Sequence, residues 1–449
     1  MMMFTSKGRL RALMLAVAVV LLVPLGSGPA RAIEVATVES PGGLTAWLVP
    51  DSANPMVTIE FSFEGGAALD PEGKAGLAYM ASGLMDEGAG DMDSRAFQRR
   101  LAASAIELNF DASRDTFGGT LKTLTENLDE ALGLLKVALT APRFDPEAVE
   151  RIRGQVLAGL RYDENDPQDI ASRAWFRAAF PDHPYGRAVE GTAESVAAVT
   201  VDDLKAFARA HLTRDRLTIG VAGDVTPEVL GPMLDATFGD LPATSDLPAV
   251  PDAKVHADGS TQVIPQDVPQ SVALFGQAGI ARSDPDWYAA YVVNYILGGG
   301  GFSSRLMEEV REARGLAYSV YSYLVPYDHA AVWMGGVGTN NARVAESLDL
   351  IREEWARMAS EGPTETELAD AKTYLTGAWP LRFSSTGAIV RILVAMQKEG
   401  LPISYLDDRN DYIEAVTMAD AQRVAARLMD ANALTTVVVG QPEGLATSN

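Results

Sequence analysis

Arg311 and Tyr318 belong to the stretch of this chain that holds its most specific set of chemically useful residues. A guanidinium and a phenol both donate hydrogen bonds, and neither has to change protonation state to do so. They lie in residues 298–325, GGGGFSSRLMEEVREARGLAYSVYSYLV. The glycine run leads into Ser303 and Ser304, whose hydroxyls can cap the first free N–H groups of a helix. Leu306, Met307, Val310 and Ala313 then form an apolar helical stripe, and Gly315 takes the left-handed conformation that ends it. A β-rich run with Tyr318, Val320, Tyr323 and Val325 follows, bounded by Pro326. The pattern predicts Arg311 on the last helical turn and Tyr318 at the start of the strand, so both can point at one spot. The plain alternative is a cation that favours the helix dipole and an ordinary strand aromatic. The glycine run is not a phosphate loop, because it follows a helix and lacks a Gly-Lys-Ser/Thr ending.

This stretch resembles the C-terminal half of the insulinase/pitrilysin family of zinc peptidases, the group that includes mitochondrial processing peptidase. In that family an Arg and a Tyr with this spacing contact the carbonyl of the peptide being cleaved, and the resemblance implies that role for Arg311 and Tyr318. Arg314 stands at the wrong distance. The resemblance covers essentially the whole chain after residue 32, including DHPYGRAVEGT at 182–192. The family holds zinc through His-x-x-Glu-His on the first apolar helix and a Glu some 75 residues later. Here the helix reads GLAYMASGLMDEGAG. Aligned on Gly76-Leu77-Ala78, Tyr79 and Gly83 stand where the two histidines belong and Ser82 where the base belongs. The later Glu falls at Ala158 or Gly159.

No substitute for these groups is visible. The four histidines, His183, His211, His256 and His329, lie far apart in sequence, and there is no cysteine. A helical i, i+4 ligand pair is therefore absent. Ser82 and Ser303 have no nearby His to serve as base. Asp86, Glu87 and Asp91 could form a calcium loop, but Gly88-Ala89-Gly90 interrupts any alternating ligand pattern.

Residues 1–32 carry Lys7, Arg9 and Arg11, an apolar run from Leu13 to Leu25, and Ala30-Arg31-Ala32. This is the pattern of a secretory signal peptide cleaved after Ala32, and its apolar run is too short to span a bilayer. A periplasmic or secreted protein is expected. The leader holds four basic and no acidic residues, so the net charge of −23 becomes −27 for the remainder. That disfavours nucleic acid and anionic membranes as partners.

The remaining length is too great for one core. Residues 199–223 align without gaps to 416–440, with eight identities in 25 positions. Val57–Glu64 leading to Asp70-Pro71 and a helix has a counterpart in Ser271–Ala278 leading to Asp284-Pro285 and a helix over Trp287–Leu297. The expectation is an α+β protein of two homologous domains, each a sheet packed on one face by helices. Their boundaries are 33–243 and 257–449, joined by a linker at 244–256 rich in Pro and Ala. The expected function is that of the substrate-binding subunit of a heterodimeric zinc peptidase. This chain would bind no cofactor, and a homologous partner with an intact motif would carry the zinc. The alternative is a peptide-binding or assembly protein, alone or as a homodimer.

Overall fold

The computed structural model describes residues 33–447. The leader read from the sequence lies outside them. Thirteen strands are present among the described residues. The first half contributes β1 (Ala36–Glu39), β2 (Thr45–Pro50), β3 (Met56–Glu64), the two-residue strands β4 (Gly88–Ala89) and β5 (Met92–Asp93), β6 (Glu107–Ala112), β7 (Thr116–Leu124) and β8 (Leu217–Gly223). The second contributes β9 (Thr261–Pro265), β10 (Gln270–Ala278), β11 (Ala317–Pro326), β12 (Ala331–Asn340) and β13 (Thr435–Gly440).

The first sheet has the order β1-β2-β8-β3-β7-β6 and the second β11-β12-β10-β13-β9. Each has one parallel pair, β2 with β8 and β13 with β9, and an antiparallel hairpin at the opposite edge, β6–β7 and β11–β12. The sequence repeat supplies equivalent strands of the two sheets. Its helices, Val201–His211 and Met418–Leu428, both open with a Thr-x-x-Asp capping box, Thr200/Asp203 and Thr417/Asp420. Its strands, β8 and β13, both end on a left-handed glycine, Gly223 and Gly440.

One face of each sheet packs on helices of its own half. In β3, Val57, Ile59, Phe61 and Phe63 are buried in the first core with Phe97, Phe117, Leu135 and Phe238. Phe275 of β10 and Trp333 of β12 enter the second core with Trp355 and Val424. The opposite faces are covered by an exchange. Helix Pro167–Ala179 of the first half lies on β10 and β13, and helix Thr386–Lys398 of the second lies on β3 and β8. Helices of this kind need a sheet face without bulk. Gly276 provides it under Trp175, where a Cβ would come within 2.6 Å of the indole, and Gly220 provides it under Val390, where a Cβ would lie 2.9 Å from the carbonyl oxygen. The Trp175 indole N–H donates to Thr435 O at 3.1 Å, and Gln397 Nε2 donates to Ile219 O at 3.0 Å. Trp175, Phe176, Phe180 and Tyr185 of the first half therefore share one apolar cluster with Leu274, Met334, Val437 and Val439 of the second.

The turns of the two hairpins also meet. Tyr185 donates to the Asp115 carboxylate, and the backbone N–H of Asp328 donates to the same carboxylate at 3.2 Å. Arg114 lies over the Phe176 ring at 3.8 Å. Residues 243–260 have no regular structure, yet Ala253 N donates to His329 O and His256 N to Ala179 O, each at 2.8 Å.

The helix after Asp284-Pro285 begins at Trp287, as the sequence indicates, with Asp286 before it, whereas the helix after Asp70-Pro71 begins only at Leu77. The second half also contains a helix over Tyr405–Glu414.

Candidate functional site

The helix Leu77–Ser82 and its C-terminal cap carry Tyr79, Ser82 and Gly83, and Asp70 holds the helix start. Asp70 Oδ2 accepts from Gly76 N at 2.8 Å and Leu77 N at 3.1 Å, and Oδ1 accepts from Ala78 N at 3.0 Å. Gly76, with φ +94°, allows the chain to turn back onto that carboxylate. Burial pushes the Asp70 carboxyl up to about 7, against these three amide donors and the Arg187 guanidinium, which favour the charged form. Arg187 donates to the carbonyls of Asp70 and Ala68 at 2.9 and 3.0 Å. Asp70 is a residue that motif reasoning missed, since its ligands lie six to eight positions away.

Tyr79, Ser82 and Gly83 on this helix meet Gly159 on helix Pro146–Asp163 in one cleft of about 400 Å³. Phe110, Asp111 and Ala112 of the edge strand β6 form another wall, with Ile152 and Val156 below and Asp163 and Glu190 at the rim. The four positions aligned from sequence are thus neighbours in space. Their chemistry does not fit zinc. The Ser82 hydroxyl donates to Tyr79 O at 2.8 Å, and the Tyr79 phenol is pushed above its ordinary range by burial and by Glu190 and Asp163. Gly83 and Gly159 offer no side chain. A zinc site needs neutral imidazole, carboxylate or thiolate ligands. Among the described residues no group of three or more His, Cys, Asp or Glu is placed to hold a metal.

Arg311 and Tyr318 lie in the second half, apart from that cleft. The helix Trp287–Asn294 continues as a π-helical turn over Tyr295–Gly299 that crosses β11 closely. Gly298 makes this crossing possible, because a Cβ there would lie 2.6 Å from Ser322 N. Asn294 Oδ1 fixes the crossing by accepting from Ser322 Oγ at 2.8 Å and Trp333 Nε1 at 2.9 Å. The next helical segment is also of π type, over Met307–Glu312. The two serines do not cap it. Ser304 Oγ donates back to Gly301 O at 2.7 Å and Ser303 Oγ back to Gly300 O at 3.4 Å, because a 3-10 turn over Gly301–Ser303 brings those carbonyls within reach. Gly315, at φ +61°, closes the segment, and Leu316 N donates to Val310 O at 2.9 Å.

Arg311 and Tyr318 come together, with the guanidinium carbon 5.7 Å from the Tyr318 ring centroid. Phe302, which the sequence reading passed over, also stands here, its ring 4.6 Å from the same carbon. Arg311 Nη1 donates to Glu312 at 2.7 Å. Tyr318 sits at the bulge between Ala317 and Ser319 in the pairing of β11 with β12, and it is 81% exposed. Bulges of this kind re-aim a side chain out of the regular alternation. Arg314 is used locally instead, donating to Glu309 O at 2.8 Å and to the Glu309 carboxylate.

Residues 47–193 match the insulinase family description, Insulinase (Peptidase family M16), and residues 198–375 match Peptidase M16 inactive domain. A non-peptidase homolog, YmxG, of Helicobacter pylori is 30% identical over 378 residues, which is 81% of this chain and 87% of that protein. The chain belongs to the M16 family. An uncharacterized zinc protease of Streptomyces coelicolor is 30% identical over 357 residues, covering 78% of this chain and 77% of that protein. Among solved structures, a peptidase M16 inactive domain from Pseudomonas fluorescens superimposes with a TM-score of 0.86 at 29% identity, covering 92% of this chain and 99% of that one. This M16 chain has the family's two-sheet fold, with residues unsuited to zinc at the aligned metal and base positions.

Proposed function

We propose that this M16 homologue is inactive alone and is the substrate-binding subunit of an exported two-chain peptidase. The observation that carries the reading is a contrast between its two halves. Tyr79, Ser82, Gly83 and Gly159 share one cleft yet offer no ligand set, while Tyr318 stands open to solvent at a bulge beside the half-buried Arg311. Nothing in the fold of the second half needs Tyr318 to be so exposed. A large exposed aromatic beside an arginine is the composition of an interaction hot spot. In the complex, Arg311 and Tyr318 donate hydrogen bonds to the carbonyl oxygen of a bound peptide, and the bonds strengthen as negative charge develops there. The catalytic base and the metal belong to a homologous partner with an intact His-x-x-Glu-His.

The test is reconstitution with such a partner followed by steady-state kinetics. Tyr318→Phe removes one hydroxyl and little volume, so folding and association should survive it. Loss of one such donor costs about 2.7–4 kcal/mol of barrier, and a donor used in the transition state lowers both kcat and kcat/KM. Wild-type kinetics from Tyr318→Phe and Arg311→Ala in assembled complexes would refute the role. So would stoichiometric zinc or peptide cleavage by this chain alone.

A further inference from the structure

The seam between the two halves opens into a cleft of about 510 Å³ that the function proposed above does not use. The first half contributes Glu64 at the end of β3, and Asp215 and Arg216 just before β8. The second contributes Arg282 from the segment after β10 and Asp328 from the turn between β11 and β12. It also contributes Lys398 and Glu399, at the end of the exchanged helix Thr386–Lys398. A volume in this range at the seam of two domains is usual for a small-molecule site.

Four carboxylates and three cations thus face one space, and among the described residues none of the seven forms an ion pair. Elsewhere the chain pairs such groups closely, as Arg305 and Glu367 do at 2.6 Å. The two arginines of the cleft are held by neutral groups instead. Arg216 donates to the carbonyls of Glu64 and Leu247 at 3.2 and 3.5 Å. Arg282 donates to the Tyr288 hydroxyl at 3.3 Å and lies 5.1, 5.3 and 5.5 Å from the ring centroids of Trp287, Tyr288 and Tyr405. These contacts fix each guanidinium without neutralising it, and a fixed guanidinium is suited to a carboxylate. The side chains of Asp328, Lys398 and Glu399 make no hydrogen bond. They are still near enough to act on one another. Burial pushes the Asp328 and Glu399 carboxyls up from their ordinary values, Asp328 adds to the rise at Glu399, and Lys398 opposes it at both.

A simple anion in this cleft meets four carboxylates, and a simple cation meets three cations. A molecule with one charge of each sign on a short frame gains from both sets. Ser62, Thr218 and Ser283 add hydroxyls to the same walls. We propose that the cleft binds a small zwitterion of the free α-amino acid class, its carboxylate drawn to Arg216, Arg282 and Lys398 and its ammonium to Asp328 and Glu399. Such a ligand touches both halves, so its binding stabilises their packing. The cleft lies at the far end of β11 from Tyr318, and the proposal does not rest on the role given to Arg311 and Tyr318.

The test needs neither partner nor turnover. The probe is L-glutamine, titrated against the chain by calorimetry, with Tm and hydrogen exchange measured at saturation. The expected result is saturable binding, a raised Tm, and slowed exchange in both halves, at 214–218 and at 396–400. N-acetylglutamine lacks the ammonium and glutamine α-amide lacks the carboxylate. Each should bind at least about tenfold more weakly, the loss of one hydrogen bond to a charged group. Asp328→Asn should weaken glutamine by a similar factor and leave N-acetylglutamine unchanged, because that probe has no cation to lose. Lys398→Met should weaken glutamine and leave the α-amide unchanged. Neither side chain makes a hydrogen bond, so both ligand-free variants should keep the wild-type Tm, and Glu399→Gln replaces Asp328→Asn if that variant does not fold. Absence of saturable binding, protection confined to one half, or either blocked probe binding as well as glutamine would overturn the proposal. So would an equal loss of all three probes in either variant, the mark of a structural role.

Discussion

If Tyr79, Ser82, Gly83 and Gly159 occupy a lost metal site, restoring the side chains should restore the metal. The variant is Tyr79→His, Ser82→Glu, Gly83→His and Gly159→Glu. The two introduced histidines would be four positions apart, the spacing that puts two ligands on one helical face. Gly83 has φ −72° and ψ −3°, which any residue adopts. A Cβ there meets Ile152 Cγ2 at 3.2 Å, so Ile152 has to shift by a few tenths of an ångström. At Gly159 a Cβ meets nothing within 4 Å. Replacing that mid-helix glycine gains up to about 1 kcal/mol of helix propensity. Placing Glu at the buried Ser82 removes its bond to Tyr79 O and overpacks the cleft, at about 1–3 kcal/mol. The metal-free variant should therefore be somewhat less stable than wild type and still folded. Zinc at 100 times its Kd adds about 2.7 kcal/mol. With about 2.1 cal/mol/K of unfolding entropy per residue, that raises Tm by about 3 °C for a chain of this length. The assay is zinc content after dialysis together with Tm measured with and without zinc. Stoichiometric zinc in the variant and none in wild type is the expected outcome. A folded variant that holds no zinc and shows no Tm shift would refute the assignment of the cleft.

The exchange of helices predicts that cleavage within 243–252 leaves the halves together. The nicked chain should elute as one species and separate only in denaturant, and two species in native buffer would contradict the packing. Trp175→Ala, which empties a fully buried site at the centre of that exchange, should cost about 3–5 kcal/mol by denaturant titration. Asp70→Ala leaves three amide N–H groups without their acceptor and should cost about 2–3 kcal/mol, seen as a lower Tm. Burial holds His211 neutral, with its pKa lowered from 6.5 to about 4, while it stacks on Phe207. The unfolded chain then takes up a proton that the native chain refuses. Stability should fall as pH drops from about 6.5 to about 4, by up to about 3 kcal/mol, and His211→Phe should flatten that slope in urea titrations across the range.

How much of this was legible depends on the distance over which each feature acts. The paired capping boxes and terminal glycines of the repeat are local patterns, and they marked equivalent helix–strand units before any coordinates. Arg311 and Tyr318 were legible because a glycine-closed helix and a strand lie between them, so seven residues of sequence become one close approach. Asp70 acts on amides six to eight residues away, outside the register in which capping is ordinarily read. The exchange of helices was not legible, because helical periodicity does not say which sheet receives an apolar face. The information lay in the receiving strands instead. Thr58 and Ser62 are buried on the face of β3 opposite its phenylalanines, and Thr58 Oγ1 lies 2.7 Å from Thr386 Oγ1 of the helix that covers them. Small buried residues on either side of Glu60 on that face of a central strand mark a second packed face.

The same logic explains how the family's zinc side chains could be absent while the scaffold around them remains. Tyr79, Ser82, Gly83 and Gly159 border a cleft, whereas Asp70, Gly76 and Arg187, which hold the helix beneath them, bond only to main chain and to each other's carbonyls. The support of the helix therefore does not depend on which side chains the cleft displays. In the second half the dependence is reversed. Gly298, Asn294 and the bulge at Tyr318 shape the backbone so that Arg311 meets the exposed Tyr318 ring at the surface, where their contact contributes little to stability. Folding alone does not call for that arrangement, and this is why the peptide-binding role is proposed for the second half and not the first.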